Sequence, residues 1–72
     1  MMGESDVEVV DVRRVDVHGV VYVDLAIRFP DGTAAQARLG SESVPDDLRA
    51  GEHVLAMRVA QMVVSVRRGE SG

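Results

Sequence analysis

The stretch VVYVDLAIRFPDGTAAQARL, residues 20–39, carries the clearest structural signal in the sequence. In its first part, every second residue is a large apolar one: Val21, Val23, Leu25, Ile27 and Phe29. A period of two places them on one face of a half-buried β-strand. The Pro-Asp-Gly that follows predicts a tight turn, because proline presets φ and glycine accepts a positive φ. The return segment from Thr33 to Leu39 is then predicted to pair with the first strand as a hairpin.

The segment before this hairpin predicts a long and bent first strand starting at Asp6. Valines alternate through residues 7–17, but they change sides after Val9 and again across the Arg13–Arg14 pair. Because side chains alternate strictly along a regular strand, each change predicts a β-bulge or a bend. Such bends are typical of a strand that coils around a small barrel. A turn at residues 18–19 is predicted to lead into the second strand.

The second half of the chain predicts one long connection and two further strands. In the connection, residues 40–51, Pro45 fits the start of a single helical turn, and Leu48 is predicted to plug one end of the barrel. The fourth strand is predicted from His53 to Val59 and the fifth from Gln61 to Arg67. The fold class is therefore all-β: a small five-stranded barrel, closed or partly open, OB-like or alternatively SH3-like.

The composition predicts a single small domain over residues 6–68, between disordered termini at residues 1–5 and 69–72. Fifteen of the 72 residues are valine, which favours strands. There is no cysteine, so disulfides and thiolate metal sites are excluded, which fits a cytoplasmic protein. No apolar run approaches the roughly 20 residues that cross a bilayer, so no membrane insertion is expected. A core this small favours stabilisation by a partner subunit.

The charge distribution argues against a nucleic-acid ligand. The net charge is −4, which opposes the attraction to phosphate that dominates such binding. Tyr22 and Phe29 are the chain's two aromatic residues, too few for a base-stacking surface. Four arginines of the first three strands are predicted to form cross-strand ion pairs on a solvated face rather than a basic stripe: Arg13, Arg14, Arg28 and Arg38.

The last two strands carry apolar residues on both faces, which is more than one core requires. A deeper single core is one explanation. The other is an exposed apolar patch, and contiguous patches of this kind mark interfaces. We therefore predict a protein partner or a homo-oligomer, with contacts from six residues: Val20, Tyr22, Leu55, Met57, Val59 and Val63.

Residue types that carry catalysis or bind metals form no recognisable motif. His18 and His53 lie beside predicted turns, and two ligands do not complete a zinc site. Ser41 and Ser43 are expected to bond to nearby backbone. The Asp46–Asp47 pair suits the start of a helical turn. We predict that the protein is not an enzyme and has no cofactor, catalytic residue or metal site.

Two long segments carry a resemblance to a known family: VEVVDVRRVDVHGVVYVDLAIRFPDGTAAQARL and DLRAGEHVLAMRVAQMVVSV. Across residues 7–67 the chain resembles the transport-associated OB (TOBE) domain of ATP-binding cassette transporter ATPases, and is similar to the related Mop domain and the molbindins. The resemblance implies a non-catalytic, regulatory OB-like barrel, which in some members holds a small oxyanion between subunits. An oxyanion-binding protein is therefore the alternative function, with Arg14 or Arg58 as the anion contact. Single-stranded nucleic-acid binding is the third.

Overall fold

The structure, a computed structural model, describes residues 2–69 and shows five antiparallel strands in one sheet. The strands are β1 (Met2–Val17), β2 (Val20–Arg28), β3 (Ala34–Gly40), β4 (His53–Val59) and β5 (Met62–Arg67). A 3-10 turn at Ser41–Ser43 is the one helical element of the described residues. The predicted all-β, five-stranded fold is confirmed. In the same range, no helix has the length and apolarity that a bilayer crossing requires.

The sheet has the order β3-β2-β1-β4-β5 and curls into a partly open barrel. β1 lies at its centre, because the first half of this strand pairs with β4 and the second half with β2. The two terminal strands, β3 and β5, approach each other without forming a ladder. Of the two predicted forms, the partly open barrel is therefore correct and the closed one is wrong.

A β-bulge at Val10 lets β1 serve both halves of the barrel. Val9 and Asp11 pair with adjacent residues of β2, which leaves Val10 as the extra residue. Val9 is fully buried whereas Val10 is 43% exposed, so the first predicted change of side is confirmed. The second change of side occurs without the predicted bulge: the register is continuous across the Arg13–Arg14 pair, so Val12 lies opposite buried Leu25 and Val15 lies on the other face, opposite Tyr22. The valines beyond this pair lie on the hairpin that β1 forms with β2 and are not core residues.

β1 begins at Met2 rather than at the predicted Asp6. The backbone of residues 3–5 forms a ladder with β4, and the Glu4 carboxylate accepts two hydrogen bonds from Arg67, at 2.7 and 2.9 Å. These partners order a segment that is too polar to be recognised as a strand by its pattern. The predicted disorder of Met1 and of residues 70–72 falls outside the described residues.

The core lies inside the curled sheet, and the 40–51 connection covers one end of it. The buried apolar side chains are Val7, Val9, Val23, Leu25, Ile27, Leu39, Val44, Leu48, Val54, Ala56 and Val66. Leu48 is 5% exposed, which confirms that it plugs the barrel. The helical turn was predicted too late in the chain: it lies at residues 41–43, and Leu48 N–H donates to the Pro45 carbonyl at 3.4 Å in a simple turn. Val21, predicted for the core, is 39% exposed because its hairpin extends beyond the barrel interior.

The three hairpin turns differ in their chemistry. His18 and Gly19 both have positive φ, at 52° and 83°, as two-residue hairpins of type I′ require. The β2–β3 turn uses Gly32, with φ of 90°. The β4–β5 turn has no glycine, and Ala60 itself adopts a φ of 57° beside Gln61. The last turn is therefore the one whose residues fit its geometry least well.

Candidate functional site

The two faces of β4 have different surroundings. Val54 and Ala56 point into the core, where they are 2% and 0% exposed. Leu55 and Met57 lie half-buried on the outer face, and Val59 at the strand end is 42% exposed. The predicted interface residues of β4 therefore share one surface, which is the outside of the barrel.

An ion pair crosses this outer face and covers its centre. Arg67 lies opposite Leu55 on one side of β4, and Glu4 lies opposite Met57 on the other side. Their two hydrogen bonds therefore span β4, and they hold the pKa of the Glu4 carboxyl below its ordinary value. Leu55 and Met57 are half-buried, whereas Val59 next to the β4–β5 turn is 42% exposed.

We call the exposed apolar residues beside that turn the β4–β5 tip: Val59, Met62 and Val64. Met62 is 69% exposed and pairs with Val59, and Val64 is 37% exposed. Val64 is the extra residue of a second register shift, which turns Val63 inward against the core. Placing Val63 on the outer interface was therefore wrong. Met62 and Val64 were missed because a run of apolar residues conceals a bulge.

The other two predicted interface residues lie on a separate surface. Val20 pairs with Val17 and Tyr22 pairs with Val15, so these four side chains share the outer face of the β1–β2 hairpin. Val20 is 52% and Val17 37% exposed, and the other two are half-buried. β1 pairs with the β4–β5 tip at its first residue and with Val20 at its last. The predicted set is thus two patches at opposite ends of β1, not one.

The two arginines proposed as anion contacts also lie apart. Arg14 Nη2 donates to the backbone carbonyls of Pro45 (3.3 Å) and Asp46, which fastens the connection to β1. The Arg58 guanidinium stands 4.8 Å from the centre of the Phe29 ring, a cation–π contact. Arg14 belongs to the β1–β2 ladder and Arg58 to the β1–β4 ladder. The structure does not bring them into one site.

Of the four arginines predicted to form ion pairs on the outer face of β1, β2 and β3, Arg28 and Arg38 do so, whereas the prediction for Arg14 is wrong because this residue pairs with buried Val23 and binds backbone carbonyls. Arg38 donates two hydrogen bonds to the Asp24 carboxylate, at 2.7 and 2.9 Å, and Arg28 lies 3.8 Å from Glu8. The hydrogen bonds from Arg38 hold the pKa of Asp24 below its ordinary value, and Arg13, opposite Asp24, adds to this effect. A groove of about 320 Å³ is bordered by Arg13, Asp24 and Arg38. The face carries mixed charge rather than a basic stripe.

Arg68 fastens the end of the chain to the connection. Its Nε atom donates to Glu52 at 2.9 Å and its Nη1 atom to Asp47 at 2.7 Å. These hydrogen bonds lower the pKa values of both carboxyl groups and raise the pKa of Arg68. Asp47, predicted to favour a helix start, instead binds an arginine of the C-terminal segment.

The histidines are placed singly. His18 forms the β1–β2 turn, and His53 begins β4 with Nδ1 3.8 Å from Asp6 Oδ1. Between residues 2 and 69, no three acidic or histidine side chains gather as a metal-binding group. His53 lines a shallow cavity together with Asp6, Glu8 and Arg28.

Comparison with protein-family models, with curated proteins and with solved structures found no match to this chain. The surfaces and contacts described above therefore carry the functional inference.

Proposed function

We propose that the protein is a non-catalytic small β-barrel module that acts by contact with a partner protein or with further copies of itself. The observation that carries this proposal is the β4–β5 tip, where Met62 is the most exposed large apolar side chain of the described residues. Val59 and Val64 lie beside it and are also exposed. Apolar residues that cluster on one element, rather than being scattered, are typical of an interaction surface.

The surroundings of the tip support the same proposal. Leu55 and Met57 extend the apolar surface from the tip along β4, half-buried, to the point where the Glu4–Arg67 ion pair crosses the strand. An apolar centre with a charged, solvent-exposed rim is the usual anatomy of a protein interface. The tip thus has the composition of a small contact surface.

The form of the barrel agrees with the resemblance to transport-associated OB domains. An OB domain is a five-stranded, partly open barrel, and this chain has that form. A regulatory role allied to transport is part of the proposal on this ground. Such a role needs no catalytic residue in the barrel.

Sedimentation velocity at micromolar protein concentrations tests the proposal. We expect the wild-type chain to associate, and the double substitution Val59→Ser with Met62→Ser to abolish the association by removing apolar contact area. The control is Val17→Ser with Val20→Ser, which changes another pair of exposed apolar residues, 37% and 52% exposed, on the β1–β2 hairpin. The proposal is contradicted if the wild-type chain stays monomeric and also binds no purified candidate partner. It is contradicted as well if both double variants lose association to the same extent.

Binding of a small oxyanion is the second candidate function. The cations available to such an anion are Arg14, which donates to backbone carbonyls rather than to a carboxylate, and Arg58, which lies over the Phe29 ring and attracts the Asp31 carboxylate. An anion that binds the native state must raise the melting temperature. Molybdate, sulfate and phosphate at millimolar concentration are the probes, with Arg58→Gln as the variant expected to lose the shift. Unchanged melting with all three anions rejects this candidate.

A further inference from the structure

The β4–β5 turn is held in a conformation that its sequence does not favour. Ala60, with φ of 57°, occupies the first central position of a two-residue loop, where type II′ turns place glycine. A Cβ atom in the left-handed region lies too close to the following carbonyl oxygen. Neither Ala60 nor Gln61 is a turn former, unlike the residues at 18–19 and 30–32. The turn therefore stores strain that an extended backbone would release.

The strand that follows this turn is attached on one side only. β5 is a terminal strand and forms its ladder with β4 alone. That ladder is interrupted after the two rungs nearest the turn, because Val64 has no partner. β5 can therefore separate from β4 without breaking the ladders that join the other four strands.

The exposed apolar residues of the β4–β5 tip are those next to the strained turn. Val59 and Met62 flank residues 60–61 directly and are 42% and 69% exposed. Short hinges under strain favour exchange of an element between copies, and unprotected apolar edge strands favour pairing with another chain. Strain, a single ladder and exposed apolar flanks thus coincide at one hinge.

We propose that two copies of this chain exchange β5. β4 and β5 straighten into one continuous strand through residues 60–61, and β5 of each copy pairs with β4 of the other. Ala60 then adopts an extended φ, and Val59 of one copy lies opposite Met62 of the other across a two-fold axis. Each exchanged β5 inserts Val66 into the core of the other copy. This inference rests on the proposed self-association and specifies its partner as a second copy.

The contacts of β5 in the monomer are all available to an exchanged strand. In each barrel, Arg67 of one copy reaches Glu4 of the other, and Arg68 reaches Glu52 in the same way. Exchange therefore preserves the ion pairs and the core contact while it relieves two strained turns and brings four exposed apolar side chains together. These gains stabilise the exchanged dimer relative to two monomers, and the fraction of dimer rises with protein concentration.

A disulfide distinguishes exchanged from unexchanged copies, because the chain has no cysteine of its own. Met57 on β4 and Ser65 on β5 are Cα partners, so the Met57→Cys, Ser65→Cys variant can be oxidised across this pair. After refolding at high protein concentration, we expect a covalent dimer on a denaturing, non-reducing gel. The control, Ala26→Cys with Gln36→Cys, links β2 to β3 and should stay a monomer on that gel.

A second variant tests the hinge without cysteines. Replacing Ala60 with Asn and Gln61 with Gly supplies a type I′ turn, and the dimer dissociation constant should rise by about tenfold or more as the strain disappears. Asp31→Asn, a change in the β2–β3 turn, should leave that constant unchanged. Exchange is overturned, but self-association is not, if the protein sediments as a dimer while the cysteine variant runs as a monomer on the gel and the hinge substitution leaves the dissociation constant unchanged. A monomer at every concentration overturns both.

Discussion

Truncation of Leu48 measures how much the 40–51 connection contributes to the stability of the core that it covers. Leu48 is 5% exposed and packs with the strand residues although it lies in no strand itself. Leu48→Ala removes three carbon atoms, a loss of roughly 2.4 kcal/mol at about 0.8 kcal/mol per buried group. The cavity left behind adds to this, so we expect a total destabilisation of about 3 kcal/mol.

This loss is large relative to the stability of so small a domain. At about 0.05–0.15 kcal/mol per residue, 72 residues give roughly 4–11 kcal/mol in all. For a domain of this size, each kcal/mol shifts the melting temperature by about 4–8 °C, so Leu48→Ala should lower it by roughly 12–24 °C. Urea unfolding should show a lower midpoint with an unchanged slope, since the native fold is retained.

Leu55→Ala is the matched control for Leu48→Ala. Leu55 lies half-buried on the outer face of β4, so its truncation leaves no enclosed cavity and should cost about 1 kcal/mol. Equal effects of the two substitutions would show that Leu48 does not close the barrel. An effect of Leu48→Ala below that of Leu55→Ala would also refute its place in the core.

Two further predictions concern the turn and the ion pairs. Ala60→Gly should raise the free energy of unfolding of the monomer by about 0.5–1 kcal/mol, because glycine accepts the positive φ but is more flexible in the unfolded chain; a fall in stability by thermal melting would contradict the strain at this turn. Arginine hydrogen bonds lower the pKa values of Glu4, Asp24 and Glu52 in the folded state. The ionised carboxylates therefore add to the free energy of unfolding above the ordinary carboxyl pKa of about 4, and this stabilisation is lost as pH falls below it. Acid titration followed by circular dichroism should therefore show unfolding at a higher pH in Arg68→Gln than in wild type, and coincident curves would exclude a role for this arginine.

Most strand positions could be predicted because each strand has a periodic side-chain pattern. β4 has the predicted bounds, and β3 and β5 each begin one residue later than predicted. The Val10 bulge was visible because acidic residues on either side of the valines expose the change of phase. The Val64 bulge was hidden, because Met62 and Val63, the two strand residues before it, are both apolar and the pattern does not show on which side each lies.

The surfaces were harder to predict because they depend on which strands meet. Nothing local tells whether Val54 or Leu55 faces the core, since both faces of β4 are apolar, and the pairing with β1 decides it. The Glu4–Arg67 pair joins residues 63 positions apart, so no local pattern announces it. The predicted interface combined residues from two hairpins, because knowing the strand on which each residue lies does not give the distance between two residues until the register is known.

The division of β1 between two ladders sets an order of events during synthesis. Its second half pairs with β2, and β2 pairs with β3; both strands follow directly in the chain, so this meander can form soon after residue 40 is made. Its first half must wait for β4: Glu8 pairs with His53, 45 positions later. Because distant pairings form slowly, residues 3–8, which are made before the rest of the barrel, belong to the last ladder to close. Substitutions there should speed unfolding more than they slow folding in stopped-flow measurements, whereas a larger effect on folding would place this ladder early.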